Sequence, residues 1–281
     1  MAIKVAVINM KGGVGKSTLC TNLAWHFSAM LRWRKRVLLV DLDPQFNSSQ
    51  YMLGVSRYQR EIITNNSPTI WDIFEQQSRA PGLRASGRTL SNAIINVANF
   101  IGSEGKVDLL PSQLELSFTL KNPSQKEHLL SNFIADVEDN YDLILVDCAP
   151  TESVLTAAAY LTADKILVPV KPEFLSTIGL PLIRQSLGDF ENSYRKQLEV
   201  CGIGFNMCSD YSPEESRSKD EVRSLAATFG WHVFDEEIPY SRSFPKGARE
   251  GSPIFRTSYA RSSVSSLVAS FSDAFARRIS L

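Results

Sequence analysis

The sequence predicts an α/β fold, a single domain built on a twisted, mostly parallel sheet with helices on both faces. Three observations carry this. Short apolar runs alternate with segments of helical period along the chain. The runs are apolar almost without interruption, as strands covered on both sides must be. A glycine-rich loop bearing lysines separates the first run from the first helical segment.

That first run, residues 3–8, leads into Lys11-Gly12-Gly13-Val14-Gly15-Lys16-Ser17-Thr18. Leu19, Leu23, Phe27 and Leu31 then recur every four positions, which predicts a helix. A glycine-rich turn between strand and helix aims backbone N–H groups inward, and the helix adds its open N-terminal amides and positive dipole end. These features predict the phosphate cradle of a P-loop NTPase fold. Lys16 is placed to reach the β- and γ-phosphates, Ser17 to ligate magnesium, and Thr18 to meet the α-phosphate. The general pattern G-x-x-x-x-G-K-[ST] asks for glycine at position 10. Here Met10 is followed by Lys11, an added charge where the γ-phosphate lies, in its own site or in that of a facing subunit.

Further along, Arg32-Trp33-Arg34-Lys35-Arg36 reads as a solvated helix end, where cations suit the dipole. The apolar run 37–40 closes on Asp41-Leu42-Asp43-Pro44-Gln45, carboxylates at the end of a strand where open α/β sheets bind ligands. Residues 70–77 and 90–97 read as helical, with 80–88 as a surface loop between them. Strands are expected at 107–110, 142–146, 165–170, 200–205 and 232–238, and helices at 126–137 and 214–229. Asp147 ends one of these strands and is placed to hold magnesium or a water of its shell.

Composition bounds the rest. The 281 residues are 43% hydrophobic and 21% charged, with Lys plus Arg and Asp plus Glu both at 30, so net charge argues for no nucleic-acid partner and any basic surface is local. Cys20, Cys148, Cys201 and Cys208 show no C-x-x-C spacing, and His26, His128 and His232 are far apart, which speaks against metal clusters and disulfides. No signal peptide or membrane-spanning run is read, so a cytoplasmic location is expected.

The loop resembles that of the ParA/MinD family of dimerising ATPases, K-G-G-x-G-K-[ST]. The resemblance extends to V-L-L-V-D-L-D-P-Q at 37–45, I-L-V-D at 144–147, P-V-K-P-E at 169–173 with Ser176, Thr177 and Gly179, and the block from Ile238-Pro239 to Gly251-Ser252-Pro253-Ile254. It implies ATP and magnesium as ligands. It also implies that Lys11 contacts ATP across a sandwich homodimer, that Asp43 handles the attacking water, and that Asp41 and Asp147 support the metal beside Ser17 through water. Asn206 would read adenine, with Pro239 flanking the base. Two departures stand out: Phe46 where the family has glycine, and Cys148-Ala149-Pro150-Thr151-Glu152 in place of a proline pair.

Within that family the chain resembles the short, chromosomal-type ParA proteins. These bind DNA without sequence preference, associate with the nucleoid when ATP-bound, and are stimulated by a ParB-like adaptor. Seven basic residues after position 239 face only Glu250 and Asp273, and Arg242, Lys246 and Arg249 are the candidate DNA contacts. A ParA-like ATPase positioning a protein cargo is one alternative, and the nearest rival is a membrane-positioning ATPase of the MinD type. It would need an amphipathic helix beyond the core, whereas Val264, Leu267, Val268, Phe271, Phe275 and Ile279 read as a core helix running to the end. A nitrogenase-like iron protein would need cluster-ligating cysteines near the dimer axis, and there are none between Gln50 and Asp147.

Overall fold

In the computed structural model of the chain, described over residues 1–75, 90–174, 176–209, 212–258 and 260–281, alternate residues of the first strand face two different apolar layers. Val5 and Val7 join one core and Ala6 and Ile8 the other, all fully buried. Leu143 and Leu145 against Ile144 and Val146 repeat the pattern, so continuous apolar runs fit strands buried on both faces.

The strands are β1 (Ile3–Val7), β2 (Arg36–Leu42), β3 (Ile95–Asn99), β4 (Lys106–Leu110), β5 (Leu143–Cys148), β6 (Lys165–Val170), β7 (Glu199–Cys208) and β8 (Ile238–Pro239). They form one sheet in the order β3-β4-β2-β5-β1-β6-β7-β8. All pairs are parallel except β3 with β4. On one face lie α1 (Lys16–Ala29), α2 (Asn47–Tyr58), α8 (Ser243–Glu250) and α9 (Ser262–Ile279). On the other are α3 (Ile70–Phe74), α4 (Leu129–Val137), α5 (Val154–Thr162), α6 (Ser176–Tyr194) and α7 (Pro213–Phe229). The predicted fold class is the observed one.

Three expectations need correction. Residues 90–97 are not a helix: a 3-10 turn at Leu90–Ala93 leads into β3. The spacing of Leu90, Ile94 and Val97 suits a helical face, but β4 has an open edge, and pairing with it satisfies the backbone while Ile95, Val97 and Ala98 pack on the core. The strand expected at 232–238 shrinks to a bridge between Val233 and Ile203 and the two residues of β8. Leu31 lies beyond α1 and Leu267 on the outer side of α9, both exposed, while Val264, Val268, Phe271, Phe275 and Ile279 are buried as a core helix requires. The loop expected at 80–88 lies outside the described residues.

Register brings the chemistry together. Asp147 of β5 is level with Val7 of β1 and with Asp41 of β2, so the phosphate loop and two carboxylates share one end of three neighbouring strands. Among the described residues no helix is long and apolar enough to cross a membrane.

Candidate nucleotide site

The loop after β1 turns on Gly13 and Gly15, at φ 74° and 81°, left-handed values that a side chain would strain. Gly15 caps α1 without any side-chain hydrogen bond, so the first amides of α1 remain open to a ligand. Buried Asn9 fixes the entry: its Nδ2 donates to the Pro169 carbonyl at 2.8 Å and its Oδ1 accepts from the Lys11 amide at 2.9 Å. Lys16 is buried with its Nζ 3.1 Å from the carbonyl oxygens of both Asn9 and Lys11. Burial lowers the pKa of its ammonium, against the pull of Asp147 and Asp43.

A cavity of about 550 Å³ opens over this loop, lined by Gly12, Gly13, Gly15, Lys16, Ser17 and Thr18, by Asp43 and Gln45, by Gln50 and Tyr51 of α2, and by Arg249 of α8. Its size is that of small-ligand sites. Asp43 is buried and its Oδ1 accepts from the Gln45 amide at 2.9 Å.

Asp41 and Asp147 are fully buried. Asp41 accepts from the Ser49 amide at 2.7 Å and hydroxyl at 2.6 Å, and from the Asp43 amide at 3.2 Å. Burial, reinforced by the Asp147 charge, still holds its carboxyl well above the usual range. Burial likewise pushes Asp147 up to about 6, opposed by the hydroxyls of Ser17 and Ser48 and by Lys16. The Ser48 hydroxyl donates to Asp147 Oδ2 at 2.7 Å, while Oδ1 is buried with no hydrogen-bond partner. An orphaned carboxylate oxygen beside Ser17 is what a magnesium-bound water would satisfy. Among the described residues no group of three His, Cys, Asp or Glu side chains can hold a metal by itself.

The remaining candidates divide. Val14 is buried beneath the loop. Lys11 is ion-paired with Glu173 of its own chain. Asn206 does not line this cavity: its Nδ2 donates to the Val14 carbonyl at 2.9 Å, underpinning the loop. Pro239, in β8, is also absent from the lining, whereas Met207, at φ 60°, takes a place there. Arg242 is exposed at the start of α8, Lys246 lies 3.8 Å from Glu250, and Arg249 turns to the cavity.

Sequence reasoning did not single out Asn9, Ser48, Ser49 or Tyr51. The serines directly follow D-P-Q-F-N at the head of α2, and two hydroxyls beside buried carboxylates were a readable signal. Asn9 had none, because its role depends on the end of β6.

Residues 2–200 match the family model described as the AAA domain. The chain is 28% identical over 257 residues to the chromosome-partitioning ATPase Soj of Treponema pallidum, covering 90% of this chain and 89% of that protein. It is 29% identical over 255 residues to the chromosome partitioning protein ParA of Caulobacter vibrioides, covering 89% and 85%. The fold is shared with cobyrinic acid a,c-diamide synthase of Mycobacterium smegmatis solved with an ATP analog and magnesium, at a TM-score of 0.69 and 21% identity over 99% of this chain and 95% of that one. With the family model covering most of the chain and the deviant phosphate loop in place, the chain belongs to the AAA-domain family and, within it, to the ParA/MinD group of P-loop ATPases.

Proposed function

We propose that this protein is an ATP-dependent partition or positioning ATPase that closes as a homodimer on ATP, binds DNA without sequence preference in that state, and is released when a ParB-like adaptor stimulates hydrolysis. The observation that carries the reading is the shared cavity: open helix amides, Lys16, Ser17 and Asp43 face one space, and Lys11 adjoins Gly12 of its lining. The names of the Soj and ParA relatives support partition as the setting.

In this reading the amides of Gly12 through Thr18 and the Lys16 ammonium bind the phosphates. Magnesium, when bound, neutralises phosphate charge, and Ser17 would hold it directly, with Asp147 and Asp41 acting through water. Asp43 orients the attacking water. Lys11 would act across the dimer, and charges supplied in trans to other P-loop enzymes accelerate transfer by ~10³–10⁵. Asn206, held on the loop, carries the base-reading role only if its amide leaves Val14, and Pro239 serves it from β8. Arg242 and Lys246 are the DNA contacts, and nucleoid association follows from them.

The experiment is duplex DNA binding at two salt concentrations with ATP and magnesium, with ADP, and without nucleotide, in an Asp43→Ala background that suppresses turnover. Salt-sensitive binding only with ATP supports the reading. ATP-driven dimers that ignore DNA would remove the DNA step and leave positioning through another surface.

A further inference from the structure

One wall of the phosphate cavity is α8, which carries Lys246 and Arg249, two of the DNA contacts expected from the family resemblance. Ala248 and Arg249 of its last turn line the cavity beside Gln50, Tyr51 and Val55 of α2. One backbone approach and one contact with a side-chain hydroxyl seat it there. Gly251, which ends α8 at φ 64°, lies against Gly54 of α2 at φ 70°, and a Cβ on Gly251 would stand 3.2 Å from the Gly54 nitrogen. A Cβ on Gly247 would stand 3.1 Å from the Tyr51 hydroxyl and 2.7 Å from the Ser252 carbonyl oxygen. Helix and cavity wall are therefore in backbone contact, and the last turn is held over the cavity.

The charges on α8 are unequally matched. Glu250 sits 3.8 Å from Lys246, whereas among the described residues no carboxylate lies within ion-pair distance of Arg249. A guanidinium offers five donors in a planar fork that fits phosphate oxygens, and this one borders a cavity whose floor is the phosphate cradle. We infer that Arg249 binds the phosphate chain of the nucleotide held by its own subunit and is not a DNA contact. This rests on the nucleotide-site reading above. It also places a nucleotide ligand on the same eight-residue helix as Lys246, with Arg242 at its N-cap, so nucleotide occupancy and the DNA-facing side share one element.

The test measures ATP and ADP binding with magnesium by calorimetry for the unaltered chain, Arg249→Ala and Arg249→Lys, with adenosine as competitor. Arg249 is exposed, so unfolding midpoints should match and report any fold defect. Loss of a charged hydrogen-bond partner should weaken ATP or ADP by about tenfold to a hundredfold in Arg249→Ala, with partial recovery in Arg249→Lys and no change for adenosine. Unchanged ATP and ADP affinity, with weaker binding to duplex DNA, would return the residue to the DNA surface. An equal loss for adenosine would also overturn the inference. An unaltered chain that binds no nucleotide would instead overturn the function on which it rests.

Discussion

Lys11 and Glu173, 162 residues apart in sequence, are ion-paired within one chain at the mouth of the phosphate loop. The other carboxylate oxygen of Glu173 lies 3.0 Å from Lys171 Nζ, so one carboxylate joins two ammonium groups. The Lys11 hydrogen bond holds the Glu173 carboxyl below the usual range. A lysine proposed to act on a facing subunit is thus restrained by its own, and the pair must yield before the lysine can cross.

Glu173→Gln should release that restraint. The side chains are 26% and 36% exposed, so the pair is worth about 0–1 kcal/mol, and ATP-dependent association should tighten up to about fivefold with little change in stability. Sedimentation in the Asp43→Ala background reads this. Weaker association would show that Glu173 delivers Lys11 instead of holding it back.

Phe46, which replaces the family's glycine, adopts φ 46° and ψ 33° and stacks on Tyr58 with ring centroids 5.2 Å apart and planes within 8°. The left-handed backbone costs about 1–2 kcal/mol in a residue with a Cβ. The stack returns about 0.5–1.5 kcal/mol beyond its buried area. Phe46→Ala keeps the strain and loses the stack, so urea unfolding should show a loss of about 1–2 kcal/mol. Phe46→Gly loses both and should be the milder change; the reverse order would mean that the strain is not real.

His26 of α1 is buried, with its Nε2 3.5 Å from Asp273 Oδ1 of α9. Burial lowers its pKa below the ordinary value of about 6.5, despite the nearby carboxylate. Below that value the unfolded chain takes up a proton that the folded chain resists, so this contribution is complete above pH ~6.5 and is lost as pH falls toward the folded value. Urea midpoints should fall from pH 7.5 to 5.5, and His26→Gln should reduce the slope. An unchanged slope would place the effect elsewhere.

Gly204 of β7 is a close-packing position. A Cβ there would stand 2.6 Å from the ring of Phe271, which is fully buried and packs edge-on against Phe234 at 5.1 Å. Gly204→Ala should cost about 1–3 kcal/mol by overpacking, and adding Phe271→Leu should recover part of it in denaturant unfolding. Equal stability of Gly204→Ala and the parent would show that α9 shifts freely.

What the sequence determined by itself was local. Strand, glycine loop and helix are adjacent in the chain, so the strand–loop–helix frame of the candidate phosphate site was legible locally, from residues 3–29. Doubly buried strands announced themselves as apolar runs, and Asp41 and Asp147 fell at their ends. Tertiary structure decided what depends on partners far away. Residues 95–99 became a strand because β4 offered an open edge, against a spacing that also suits a helix. The Asn206 amide took the Val14 carbonyl, 192 residues distant, and left the cavity wall to Met207 and Arg249. Periodicity reports which face of an element is buried, whereas the identity of the neighbour on that face follows only once the sheet order and the α2–α8 contact are formed.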